Sequence, residues 1–64
     1  MKLTLKSLRT NKNITQVEAA KAFGVGKETW RNYENGRTYP DVLTIERIEK
    51  VFDVSFSDII FLPS

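Results

Sequence analysis

The sequence predicts an all-α fold, a compact set of five short helices, and three observations carry that reading. Apolar residues recur three and four apart, as in Leu5 and Leu8 or Ile45, Ile48 and Phe52, the spacing that lines one face of a helix. Capping residues stand where stripes of this kind begin: Thr15 with Glu18 three residues on, and Ser55 with Asp58. Gly24 and Gly36 stand where two of them end, each able to supply the left-handed residue that closes a helix.

Taken in order, Leu5 and Leu8, with Leu3 nearby, predict a first helix over residues 4–11, ending in the polar run Thr10-Asn11-Lys12-Asn13. Thr15 and Glu18 form a capping box that opens a second helix through Ala19, Ala20, Ala22 and Phe23, stopped at Gly24. Gly26 starts a third, which runs to Asn35 with Gly36 as its closing glycine. Pro40 prevents its continuation, and Asp41 caps a fourth helix to Phe52, with Glu46 and Lys50 as an outward pair. Ser55 then opens a last short helix containing Phe56, Ile59 and Ile60. No internal repeat, low-complexity segment or linker interrupts residues 1–64, so they are read as one domain.

The third helix divides most sharply. At roughly 100° per residue, Trp30, Tyr33 and Glu34 share one arc, while Glu28, Arg31, Asn32 and Asn35 share the opposite one. The first arc belongs to a core and the second to an exposed polar face. Glu34 is the anomaly on the inward side, since a carboxylate there needs a cation. Arg9, which borders the apolar stripe of the first helix, is the candidate, and an Arg9–Glu34 ion pair joining helices one and three is expected.

Composition narrows the function. With 64 residues, no cysteine and no histidine, the chain has no thiolate or imidazole for metal binding or nucleophilic chemistry, and no cofactor, metal, small-molecule substrate or enzymatic activity is expected. The apolar runs are far shorter than the roughly 20 residues that span a bilayer, and Met1-Lys2-Leu3 leads into no signal-peptide core, so a cytoplasmic location and no membrane partner are expected. The formal charge of +2 is unevenly spread: residues 1–40 hold eight basic side chains against three acids, a balance of +5, and residues 41–64 hold two against five, a balance of −3. The basic part would be drawn to a polyanion, although an ordinary mixed surface accounts for the charge equally well.

Two short helices meeting at the tight Gly24-Val25-Gly26 corner form a helix-turn-helix arrangement. The stretch Ile14-Thr15-Gln16, Glu18, Ala20, Phe23-Gly24-Val25, Thr29, Tyr33-Glu34-Asn35-Gly36 and Pro40, followed by Ile45, Ile48, Phe52 and Val54-Ser55, resembles the lambdoid phage repressor and Cro family of XRE-type helix-turn-helix proteins. The resemblance covers nearly the whole chain. It implies a lambda-repressor-like DNA-binding domain, a phage or bacterial repressor, with an arginine at Arg9 paired to Glu34. Departures are Ala19 where a leucine is usual, Trp30 where a small aliphatic is usual, Gly26 in place of a Ser/Thr cap, and Glu49 at a position usually small and apolar. The larger indole is expected to fill the volume the smaller alanine leaves, with Trp30 buried beside Ala19.

The resemblance implies base contacts from Lys27, Glu28 and Asn32, with Thr29 on a thymine methyl or a phosphate. Their chemistry suits base edges, since Lys donates to guanine, Glu accepts from cytosine N4 and Asn pairs with adenine. Glu28 otherwise pairs with Arg31 or favours the helix dipole, and Lys27 and Asn32 are otherwise ordinary exposed residues. Gln16, Arg31, Asn35, Gly36 and Arg37 are the phosphate candidates, with loop backbone N–H groups as further donors. Gln16 resembles the family glutamine that holds a phosphate and buttresses the recognition helix, and is otherwise a solvated first-turn residue. A domain this small reads few base pairs, so a homodimer on a palindromic operator of double-stranded DNA is expected, with Ile60, Phe61 and Leu62 as the dimer surface. The competing class is a protein-interaction module of antitoxin or anti-repressor type.

Overall fold

The computed structural model describes residues 2–61. Four α-helices surround one core: α1 (Leu5–Asn11), α2 (Gln16–Ala22), α3 (Lys27–Asn35) and α4 (Val42–Phe52). Local chemistry explains each boundary. Thr4 Oγ1 accepts from Ser7 N at 3.1 Å to cap α1, and Asp41 Oδ1 accepts from Thr44 N at 2.8 Å to cap α4. At α2 the capping box is complete: Thr15 N donates to Glu18 Oε1 at 2.8 Å, and Glu18 N donates to Thr15 Oγ1 at 3.1 Å. Gly24 at φ 67 and Gly36 at φ 76 turn the chain out of α2 and α3 in the left-handed region that glycine enters without steric cost.

The fifth helix is replaced by other structure. Phe56–Asp58 form a single 3-10 turn, and Ile59–Ile60 form a strand, β2, that pairs in parallel with Leu3–Thr4, β1. Leu3 is opposite Ile59 and Thr4 opposite Ile60. The fold is therefore mostly helical with a small strand pair, and the all-α, five-helix expectation is corrected to that extent. Ser55 has the extended backbone of an N-cap, but its side chain makes no capping bond. Glu49 Oε2 instead reaches from α4 to accept from Phe56 N at 2.8 Å. Two β-branched isoleucines then meet the backbone edge of residues 3 and 4, a partner from the other end of the chain, and extended pairing prevails over a second helical turn. Glu49 is half-buried in that capping role, which accounts for a carboxylate at a position expected to be apolar.

Trp30 stands at the centre of the core, fully buried with Leu5 and Ile48, and Ala19 is equally inaccessible in the same cluster. The Phe23 ring stacks parallel to the indole, 5.0 Å between centroids, while half-buried Tyr33 meets its edge at 6.0 Å. Burying an indole removes about 200 Å2 from water, an upper estimate of roughly 5 kcal/mol. The indole thus fixes the rotation of α3 about its own axis, and with it the set of residues α3 shows to solvent.

Candidate nucleic-acid interface

The outward face of α3 follows from what its inward face is bound to. Lys27, Glu28, Thr29, Arg31 and Asn35 are exposed, and Asn32 is half-buried among them. Gly26 supplies no side-chain cap to the first-turn N–H groups of α3, at the end carrying Lys27 and Thr29. Glu28 Oε2 lies 3.9 Å from Arg31 Nη1, both side chains more than half exposed, a surface pair of the kind that contributes at most about 1 kcal/mol.

Behind this face lies a buried polar centre built on Glu34, whose residue is 6 % exposed. Arg9 Nε donates to Glu34 Oε2 at 2.6 Å and Arg9 Nη2 to Oε1 at 3.4 Å, while Arg9 Nη1 donates to the Ile14 carbonyl at 2.9 Å. Trp30 Nε1 donates to Oε2 at 2.6 Å, and Gln16 Nε2 donates to Oε1 at 3.2 Å. One carboxylate therefore holds α1, the start of α2 and α3 together. Burial alone would raise its pKa, but the bonds from Arg9, Gln16 and Trp30, with the guanidinium charge, prevail and hold it below the ordinary value. Among the described residues no buried side-chain polar atom is left without a partner.

Of the phosphate candidates, Gln16 is half-buried at the first position of α2, and it shares with Lys27, Thr10 and Asn13 the lining of an open cleft between α1, α2 and the start of α3. Arg37 is exposed just past the other end of α3, so the candidates flank its polar face at both ends. The loop N–H groups are not free donors: Gly36 N donates to Tyr33 O at 3.3 Å, Arg37 N to Asn32 O at 2.9 Å and Thr38 N to Asn32 O at 3.5 Å. They close the C-terminus of α3 instead, because the last carbonyls of a helix need partners and a left-handed glycine turns the following N–H groups back on them. That corrects the expectation of available backbone donors at Gly36 and Arg37. The expected buttressing of α3 by Gln16 is made through Glu34, a partner that sequence reasoning did not name, and the bond from Trp30 to Glu34 was missed. The i,i+4 spacing of Trp30 and Glu34 was the available signal for that bond.

Ile60 is exposed, and Phe61 is half-buried against Tyr39 and Phe56, ring centroids 5.6 and 5.7 Å away. Leu62, the third residue of the expected dimer surface, lies outside the described residues. Tyr39, Val42, Leu43 and Phe56 are at least half exposed as well.

Comparison with known proteins bears on this arrangement directly. A family model described as helix-turn-helix matches residues 5–59. The chain is 32 % identical over 56 residues to the cryptic phage CTXphi transcriptional repressor RstR of Vibrio cholerae, covering 88 % of this chain and 50 % of that protein. It is 36 % identical over 56 residues to the antitoxin PezA of Streptococcus pneumoniae, covering 88 % of this chain and 35 % of that protein. An uncharacterized HTH-type transcriptional regulator of Archaeoglobus fulgidus is 36 % identical over 59 residues, 92 % of this chain and 83 % of its own length. The chain thus spans half or less of the repressor and the antitoxin. No solved structure matches it.

Proposed function

The chain belongs to the helix-turn-helix family, and on that premise we propose that it is a sequence-specific DNA-binding transcriptional regulator, a repressor of phage or bacterial type. The observation that carries the reading is the two-sided α3: Trp30 and Glu34 are anchored inward, and an unbroken polar face is turned outward. Nine residues of helix are roughly 13 Å long, and the major groove of B-form DNA is about 12 Å wide, so α3 fits it. Lys27 donates to guanine O6 and N7, Asn32 pairs with adenine, Glu28 accepts from cytosine N4, and Thr29 meets a thymine methyl or a phosphate. Gln16, Arg31, Asn35 and Arg37 bind phosphates through their side chains, with Gly36 serving through its turn rather than as a donor. The RstR repressor and the HTH-type regulator among the relatives support this assignment.

The regulator acts as a homodimer on a palindromic operator whose half-sites lie about 34 Å apart, one turn of duplex. Ile60 and Phe61 form its dimer surface, supported by the exposed Ile60 and by the aromatic group of Tyr39, Phe56 and Phe61. Its location is cytoplasmic, in keeping with the absence, among the described residues, of any helix long and apolar enough to cross a membrane.

Selection of bound sites from random duplex DNA at two salt concentrations tests the proposal. The expected result is one enriched, two-fold symmetric sequence whose affinity falls steeply with salt as counterions are released from phosphates. Lys27→Ala should relax preference at a single base pair, and Arg37→Ala should weaken all sequences alike and lower the salt slope by about 1. The antitoxin relative favours a second reading, a module whose main partner is another protein. Failure to enrich any sequence would support that one instead.

A further inference from the structure

The Glu34 carboxylate is shared unevenly among its donors. Oε2 receives two short bonds, from Trp30 Nε1 and Arg9 Nε, each at 2.6 Å. Oε1 receives two longer ones, from Gln16 Nε2 at 3.2 Å and Arg9 Nη2 at 3.4 Å. An arginine alone can engage both oxygens of a carboxylate in a planar fork with two bonds of similar length. Here the fork is skewed. The indole N–H, four residues before Glu34 on the same helix, shares Oε2 with Arg9 Nε, while Oε1 takes the longer bonds from Arg9 Nη2 and from Gln16 at the start of α2.

An ionised carboxylate only accepts hydrogen bonds, so Gln16 must present its NH2 group to Glu34 and hold its carbonyl oxygen away. One N–H of that NH2 is committed to Oε1. The other is left on a half-exposed side chain that lines the same cleft as Lys27. Gln16 is thereby fixed to α3 with a donor available at the basic surface.

We infer that Trp30 is a positioning residue for DNA binding: its indole N–H sets the rotation of the Glu34 carboxylate, and the carboxylate in turn holds Gln16 in the orientation from which its free N–H meets a phosphate. The inference rests on the DNA-binding reading above. Trp30 itself is fully buried and touches no DNA. An apolar side chain of equal volume would keep the stack on Phe23 but supply no donor. Glu34 would then turn to an even fork with Arg9 and release Gln16.

Trp30→benzothienylalanine makes the change, since sulfur replaces the indole N–H in a bicycle of the same shape, and a chain of 64 residues is within reach of chemical synthesis. The unmodified chain, this variant, Gln16→Ala and the double variant are titrated with a short duplex of random sequence at low salt. Gln16→Ala should weaken binding by about tenfold to a hundredfold in the unmodified chain, the size of one hydrogen bond to a charged partner. The isostere should weaken it similarly, and the double variant no further. An equal loss from Gln16→Ala in both backgrounds would mean that Trp30 acts by packing alone, and would overturn the inference. In nitrogen-edited NMR spectra of the free chains, the two Gln16 side-chain protons should be well separated in the unmodified chain and converge in the isostere. Unchanged Gln16 signals would also overturn it, whatever the DNA result. If the unmodified chain binds no duplex, the regulator reading fails and the positioning role falls with it, while the NMR comparison still reports whether Trp30 holds Gln16.

Discussion

Glu34→Ala removes the acceptor on which three helices converge, and its cost follows from what remains behind. The Arg9 guanidinium, 9 % exposed, keeps its bond to the Ile14 carbonyl but loses both carboxylate contacts. The Trp30 N–H, in a residue with no exposed surface, loses its acceptor altogether. Breaking a buried pair by deleting one partner costs about 3–5 kcal/mol, most of it the penalty of the uncompensated charge. A domain of this length has a total stability of roughly 3–10 kcal/mol, so the variant should be close to unfolded at room temperature, with Tm lowered by about 15–30 °C. Far-ultraviolet circular dichroism melts at neutral pH provide the assay. Acid adds a signed check. Donors from three residues hold the folded Glu34 carboxyl below its usual 4.5 despite burial. Its contribution is therefore complete above that value and is lost as pH falls through the depressed folded pKa. The difference between the parent and Glu34→Ala should narrow in acid. A Tm drop of less than about 5 °C at neutral pH would refute the argument that this pair is held in a desolvated core.

Thr15→Ala opens the capping box of α2 and should lower stability by about 1 kcal/mol in urea denaturation. Gly26→Ser should act in the opposite direction. An added Cβ there meets nothing within 4 Å, and serine is the better cap while the loss of glycine reduces unfolded-state entropy, a gain of about 0.5–1 kcal/mol readable as a raised Tm. Glu49→Ala removes the acceptor for Phe56 N and should cost about 1 kcal/mol, with hydrogen exchange accelerating first in residues 56–60. Asp53→Gly replaces a non-glycine residue at φ 51 and should be neutral or stabilising by up to about 1 kcal/mol, which thermal melts will resolve.

The four helices were legible in the sequence because their signals are local. Thr15 and Glu18 satisfy each other's neighbouring N–H groups within one turn, Gly24 and Gly36 provide their own φ, and the stripe of Ile45, Ile48 and Phe52 is set by helical period alone. The polar face of α3 was legible for the same reason, since period separates Lys27, Glu28, Arg31 and Asn35 from Trp30. The role proposed for it rests on family membership as well, because polar helix faces are common.

What only the tertiary structure decided depends on groups far apart in the chain. Ser55 and Asp58 look like a helix start, yet Glu49 provides the cap and residues 3 and 4 provide a strand edge, so Ile59 and Ile60 are extended. The loop after Gly36 turns its N–H groups onto Asn32 and Tyr33 rather than outward. Glu34 was recognisable as a buried charge in need of a cation, but its sharing among Arg9, Trp30 and Gln16 depends on the angles at which α1, α2 and α3 cross. A carboxylate has more acceptor sites than any one neighbour can fill. Sequence determines that it must be satisfied, and packing determines by whom.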